Sequence, residues 1–147
     1  MKKLLTLSLL VFGLSIAGSA QKLVLENYLE TTQVGTKIGG SIGMFLKGDY
    51  QVGIFHHEHS HSIISGEKLP RFYEESFKGV YFTLPLKGND FLELSFKVRT
   101  GLVNNEIFSI KPSIHSYIRP VKFIRLGLGI GTRMLRPTLM PSISILL

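Results

Sequence analysis

Between residues 91 and 102 the chain alternates strictly. Leu92, Leu94, Phe96, Val98 and Leu102 fall on one side, and Glu93, Ser95, Lys97 and Arg99 on the other. Successive side chains of an extended strand point to opposite faces, so the segment predicts a strand with one apolar and one charged surface. A helix would scatter the same charges around its circumference. The same period recurs in residues 36–46, 76–86, 107–118, 121–133 and 138–147, and more weakly in 23–30 and 50–57, which makes eight expected strands. In 121–133, for example, Ile124, Leu126, Leu128 and Ile130 oppose Phe123, Arg125, Gly127, Gly129, Gly131 and Arg133.

The connections carry turn chemistry. Lys47-Gly48-Asp49, Lys87-Gly88-Asn89-Asp90 and Asn104-Asn105 supply residues that tolerate positive φ, and Arg119-Pro120 and Arg136-Pro137 are the other two short connections expected. Only residues 58–72 are long enough for a substantial loop. Proline cannot donate to a ladder, so Pro112 and Pro141, both inside expected strands, predict bulges or breaks there.

Eight antiparallel strands of this kind predict an all-β fold, a closed up-and-down barrel, and residue size decides which face points inward. The polar face is crowded with glycine and serine plus a few long charges, which fits the narrow interior of an eight-stranded barrel. The apolar face is built of large aliphatic and aromatic residues that would overfill that interior. The expectation is therefore a transmembrane barrel, apolar outside and polar within. A soluble barrel with the apolar face inward, holding an apolar ligand, is the alternative. With the N-terminus periplasmic, eight strands return the C-terminus to the periplasm and put the 58–72 loop outside, matching the usual asymmetry of short turns and long loops.

The first twenty residues stand apart from this pattern. Lys2 and Lys3 precede an apolar run from Leu4 to Ile16, and Ala17-Gly18-Ser19-Ala20 supplies small residues ahead of Gln21. The run is too short to cross about 30 Å of hydrocarbon as a helix, so residues 1–20 are expected to be a cleaved signal peptide and 21–147 a single barrel domain. The formal charge of +7 falls to +5 with the loss of Lys2 and Lys3. The basic residues are spread singly, and export argues against nucleic acid as a partner. The absence of cysteine excludes disulfides and a lipid anchor on a cysteine.

Over residues 22–147 this pattern resembles the small eight-stranded outer-membrane β-barrel proteins of Gram-negative bacteria, although the last strand ends in Leu147 where such barrels usually carry an aromatic residue. The resemblance implies an outer-membrane location. Its partners would be outer-membrane lipid and, during insertion, the barrel-assembly machinery, and the protein would be a monomer.

Three constellations could carry chemistry. His57, His59 and His61 recur at alternate positions and could converge on a metal ion, with Glu58 and Glu67 as nearby carboxylates; the plainer reading is a solvated loop. Glu26, Glu30, Lys37, Glu93, Lys97, Arg99, Lys111 and Arg125 share the polar face and are expected to pair as a lumen charge network, since unpaired buried charge is costly. A lipid acyl hydrolase would need Ser, His and a carboxylate in mutual reach. His115 and Ser116 are adjacent in a strand and face opposite sides, and Ser60 and Ser62 lie among loop histidines. No nucleophile elbow, phosphate loop or HExxH pattern occurs, and neither catalysis nor a cofactor is expected. The expected role is structural, or adhesive through the 58–72 loop.

Overall fold

The computed structural model describes residues 22–32, 35–61, 66, 76–133 and 136–147. Residues 1–20, and most of the long connection before residue 76, lie outside the described residues. Eight strands follow one another: β1 (Lys22–Thr32), β2 (Gly35–Phe45), β3 (Gln51–His59), β4 (Ser76–Gly88), β5 (Leu92–Val103), β6 (Ile107–Val121), β7 (Ile124–Arg133) and β8 (Arg136–Leu146). Each pairs antiparallel with the next, and β8 pairs with β1, which closes a barrel without an open edge.

Register fixes the barrel's shape. Ile118 on β6 lies opposite Leu126, Leu126 opposite Ile143, and Ile143 opposite Asn27. The row continues through Gly40, His56, Lys78 and Leu102, and returns to β6 at Phe108, ten residues from its start. With ordinary strand spacings, a stagger of ten over eight strands tilts each strand about 40° from the barrel axis. An eleven-residue strand then spans about 28 Å along the axis, close to the height of a membrane barrel's apolar band.

Three connections lie at the end that also holds both termini. Around Gly48-Asp49, both residues take positive φ (87° and 62°). At the second, the Asn89 side chain accepts bonds from the backbone N–H groups of Phe91 (3.0 Å) and Leu92 (2.7 Å). At the opposite end Asn104 and Asn105 both have positive φ (51° and 63°), and the Glu106 N–H donates to the Val103 carbonyl at 3.0 Å. That is the turn whose twist matches a hairpin, and it explains the Asn-Asn pair.

The structure corrects two expected connections and the expected facing of one residue. Arg119-Pro120 is not a turn: β6 runs on to Val121, and the chain reverses at Lys122-Phe123. Arg119 is retained in the strand where it can reach Glu93, at 2.7 Å. Phe123, expected to share a face with Arg125, is instead exposed in that turn. Arg136-Pro137 lies within β8, with Pro137 opposite Thr132. Neither Pro112 nor Pro141 shifts the register; the shifts fall between Pro85 and Lys87 and between Ile118 and Val121. At the prolines the ladders end or break without a bulge. The β6–β7 ladder starts at Ser113, one residue past Pro112. The β1–β8 ladder skips from Tyr28↔Ser142 to Thr31↔Leu139, leaving a gap at Pro141.

The barrel is inverted relative to a soluble one. Among the described residues 27 large apolar side chains are exposed and only ten apolar ones are buried, while Lys37 and Arg125 are each 0% exposed. The soluble alternative required the apolar faces to point inward, and they point outward.

Candidate functional site

The interior is built from the inward-facing positions of all eight strands. Each of Glu26, Glu30, Lys37, Glu93, Lys97, Arg99, Lys111 and Arg125 is buried. They gather around three carboxylates in three tiers.

The tier nearest the termini centres on Glu93 of β5. Arg119 donates to its Oε2 at 2.7 Å, and Arg125 donates to Oε1 at 3.3 Å and Oε2 at 3.4 Å. The second guanidinium nitrogen of Arg125 reaches Gln51 Oε1 at 3.2 Å, and Gln51 Nε2 donates to the Tyr81 hydroxyl at 2.8 Å. The Arg125 guanidinium also lies 3.9 Å from the centroid of the Tyr117 ring, where the negative π face attracts it. Below this tier Val24, Phe45 and Leu146 form an apolar cluster.

The middle tier centres on Glu26 of β1. Lys97 Nζ donates to Oε2 at 2.7 Å, Ser41 Oγ donates to the same oxygen at 3.1 Å, and the Tyr117 hydroxyl donates to Oε1 at 3.2 Å. Lys97 and Glu26 are 71 positions apart in sequence. The barrel brings them together across its diameter.

Glu30, four residues further along β1, holds the third tier at about 13 Å along the strand from Glu26. Arg99 Nη1 donates to its Oε2 at 3.3 Å, His57 Nδ1 lies 3.5 Å from the same oxygen, and Lys111 Nζ is 3.9 Å from Oε1. Lys37 stands opposite Glu30 in the β1–β2 register. Arg99 lies 4.4 Å from the Tyr28 ring centroid and donates to Met140 Sδ at 2.9 Å. Phe55, Phe77, Tyr81 and Val103 form an apolar cluster, and Lys111 lies 4.4 Å from the Phe77 ring centroid. A cavity bounded by Glu30, Arg99, Lys111, Ser113 and Met140 has a volume of ≈ 10 Å³, room for about one water.

The glycines of the polar face are floors for rings. Tyr28 lies opposite Gly39, Tyr81 opposite Gly53, Tyr117 opposite Gly127 and His115 opposite Gly129. A Cβ built on Gly39, Gly127 or Gly129 would fall 2.6, 2.5 or 2.3 Å from a ring atom of Tyr28, Tyr117 or His115. The aromatic residue covers the strand where glycine leaves it bare, and the missing side chain gives the ring its space.

The three histidines do not converge. β3 extends to His59, so His57 is a strand residue, buried in the lumen with its Nδ1 3.4 Å from the Tyr28 hydroxyl. His59 is half-buried and accepts at Nδ1 a bond of 3.2 Å from the backbone N–H of His61, which is exposed. Among the described residues no group of three His, Cys, Asp or Glu could hold a metal ion.

A serine–histidine pair does form, between partners the sequence reading did not connect. Ser113 and His115 are two apart in β6 and so share a face; Ser113 Oγ is 3.0 Å from His115 Nε2. The hydroxyl donates to the Lys97 carbonyl at 3.2 Å, which leaves the imidazole as donor to the serine. A nucleophile needs the reverse polarity. Both residues are buried, and the cavity beside Ser113 cannot admit an acyl chain.

No protein-family model and no curated protein matches the sequence. Solved structures do match in shape. A de novo designed transmembrane β-barrel superposes with a TM-score of 0.69 at 10% identity, covering 87% of this chain and 99% of the design. The N-terminal β-barrel domain of Pseudomonas aeruginosa OprF matches at 0.49 and 11% identity, covering 86% of this chain and 96% of the domain. Neisserial surface protein A matches at 0.45 and 9%, covering 84% and 94%. The first of these establishes the eight-stranded closed barrel as the shared fold.

Proposed function

We propose that this chain is an outer-membrane barrel of structural or surface type. It reaches the membrane by export and loses residues 1–20. Its lumen is closed by its own side chains, it catalyses no reaction, and the long connection that follows β3 presents an adhesive surface outside the cell. The observation that carries the reading is the inversion of polarity. Ile54, Ile110 and Ile130 are each 61% exposed, while eight charged side chains, three carboxylates and five cations, are buried. Such an exterior in water would be a continuous apolar surface inviting aggregation; in lipid it is the favourable one. The closed ladder satisfies backbone groups that hydrocarbon cannot. Tyr50, Phe91 and Phe123 lie at the three connections near the termini, where an aromatic girdle would sit at the membrane interface.

The test is electrophoretic mobility of the protein from isolated outer membranes, with and without boiling. The expected result is a shift on boiling, from a compact detergent-resistant barrel to an unfolded chain. Recovery in a salt-washed soluble fraction, with no shift, would reject the membrane assignment.

The closed lumen makes a separate prediction. In planar bilayers the purified protein is expected to give no steady current step above the lipid baseline. Reproducible, long-lived steps would refute the plug while leaving the barrel intact.

A further inference from the structure

The outward face of β1 reads Leu23, Leu25, Asn27, Leu29 and Thr31. Asn27 sits at its centre, on the apolar belt and exposed. Its cross-strand neighbours are Ile143 and Gly40, and the residues diagonal to it on β2 are Ile38 and Ile42. None carries a polar side chain. An amide with two donors and an acceptor therefore faces outward among apolar neighbours on both flanking strands; the next polar groups along the row are His56, paired with Glu58 at 3.0 Å, and Lys78. Beside it the belt is indented. Gly40 leaves a shallow groove of ≈ 410 Å³ walled by Leu25, Ile42 and Ile54, with Asn27 at one side and His56 at the other. The Asn27 Oδ1 lies 3.5 Å from the position a Gly40 Cβ would occupy, so the amide lies along this groove.

We infer that this face is a dimer interface and that its occupant is a second copy of the chain, with Asn27 at the two-fold axis. The inference rests on the bilayer placement proposed above. Copies inserted by one route share an orientation, so a two-fold relating them runs along the membrane normal. Under that symmetry every residue near the axis meets its own counterpart at the same depth. Few side chains profit from meeting themselves. A charge is repelled, whereas an amide donates to its twin and accepts from it. Left against lipid chains, the same group has no partner, at a cost of desolvation. Gly40 removes the side chain that would hold the two backbones apart, as small residues do where membrane segments pack closely. The leucine and isoleucine walls then meet the partner's equivalents.

The chain contains no cysteine, so single replacements report contacts without background. The experiment places Asn27→Cys and, as a control elsewhere on the belt, Ile114→Cys in phospholipid vesicles and oxidises both with a membrane-permeant catalyst. Disulfide-linked dimer is expected to form at least tenfold faster for Asn27→Cys. In parallel, energy transfer between labelled copies measures association at increasing lipid dilution. Asn27→Leu is expected to dissociate at least tenfold more readily than the wild type, and Asn27→Gln to stay near it. Equal cross-linking rates, or unchanged association of Asn27→Leu, would overturn the dimer; so would a monomer whose Asn27 contacts only lipid. Flotation with the vesicles and the boiling shift are read on the same samples. A wild-type chain that floats and shifts but does not associate rejects the dimer alone. A chain that does not float rejects the membrane placement and the dimer with it.

Discussion

Replacing Glu26 by glutamine is expected to destabilise the folded barrel by about 3–5 kcal/mol, the cost of stripping a buried charge of its partner. The carboxylate accepts from Lys97, Ser41 and Tyr117, and the tightest of these bonds, 2.7 Å, is to an ammonium that is itself buried. Glutamine keeps the volume and one acceptor but cancels the charge, so the buried Lys97 loses its anionic partner, and the π faces of Tyr81 and Tyr117, at 5.1 and 5.7 Å, are weak substitutes. Folding from urea into detergent micelles, followed by the mobility shift, gives the free energy. The double variant Glu26→Gln with Lys97→Met removes both charges and is expected to recover most of the loss. A cycle with the two single variants isolates the pair. A loss below about 1 kcal/mol for Glu26→Gln would mean that water solvates this tier, and the plugged lumen would then be untenable.

That contact shows where the sequence was informative and where it was not. Alternation placed Glu26 and Lys97 on one face, since parity along a strand needs only the strand itself. It could not pair them. Their meeting depends on a stagger of ten residues around eight strands, a property of the closed ladder that no single segment carries. Ser113 and His115 share a face of one strand, so parity alone made that pair legible, whereas the closed ladder hid the rings behind the glycines. Gly39 and Gly127 signalled room in the interior, but Tyr28 and Tyr117 fill it only because register sets them opposite. At the prolines the expected break is present and a bulge is not. Pro141 lies where the β1–β8 seam itself is interrupted, so its missing donor disturbs no register. Composition gave Arg119-Pro120 the look of a turn, yet the arginine's partner, Glu93 on β5, lies alongside in the strand.

Gly79→Val is expected to be the most damaging single change in the wall of the barrel. Gly79 of β4 lies opposite Gly101 of β5, as Gly43 of β2 lies opposite Gly53 of β3. The Gly79–Gly101 pair differs from the glycines that lie beneath rings, Gly43 and Gly53 beneath Tyr81 among them. A Cβ at Gly79 would sit 2.1 Å from the Thr100 carbonyl oxygen and 2.6 Å from Gly101 Cα, and one at Gly101 2.0 Å from the Lys78 carbonyl oxygen. A ring can tilt away from an intruding methyl group, but a carbonyl held in a ladder cannot move without breaking its bonds. In a closed barrel the displacement of two strands passes to every neighbour, because no free edge can absorb it. The loss should therefore reach or exceed the roughly 3 kcal/mol at the upper end of ordinary overpacking. Gly129→Val, whose Cβ would first meet the His115 ring and not a backbone carbonyl, should cost less, since a side chain can rotate. The folded fraction after transfer from urea into micelles, scored by the mobility shift, orders the two variants. Equal losses would show that β4 and β5 can separate locally, and the wall would then be softer than its continuous ladder implies.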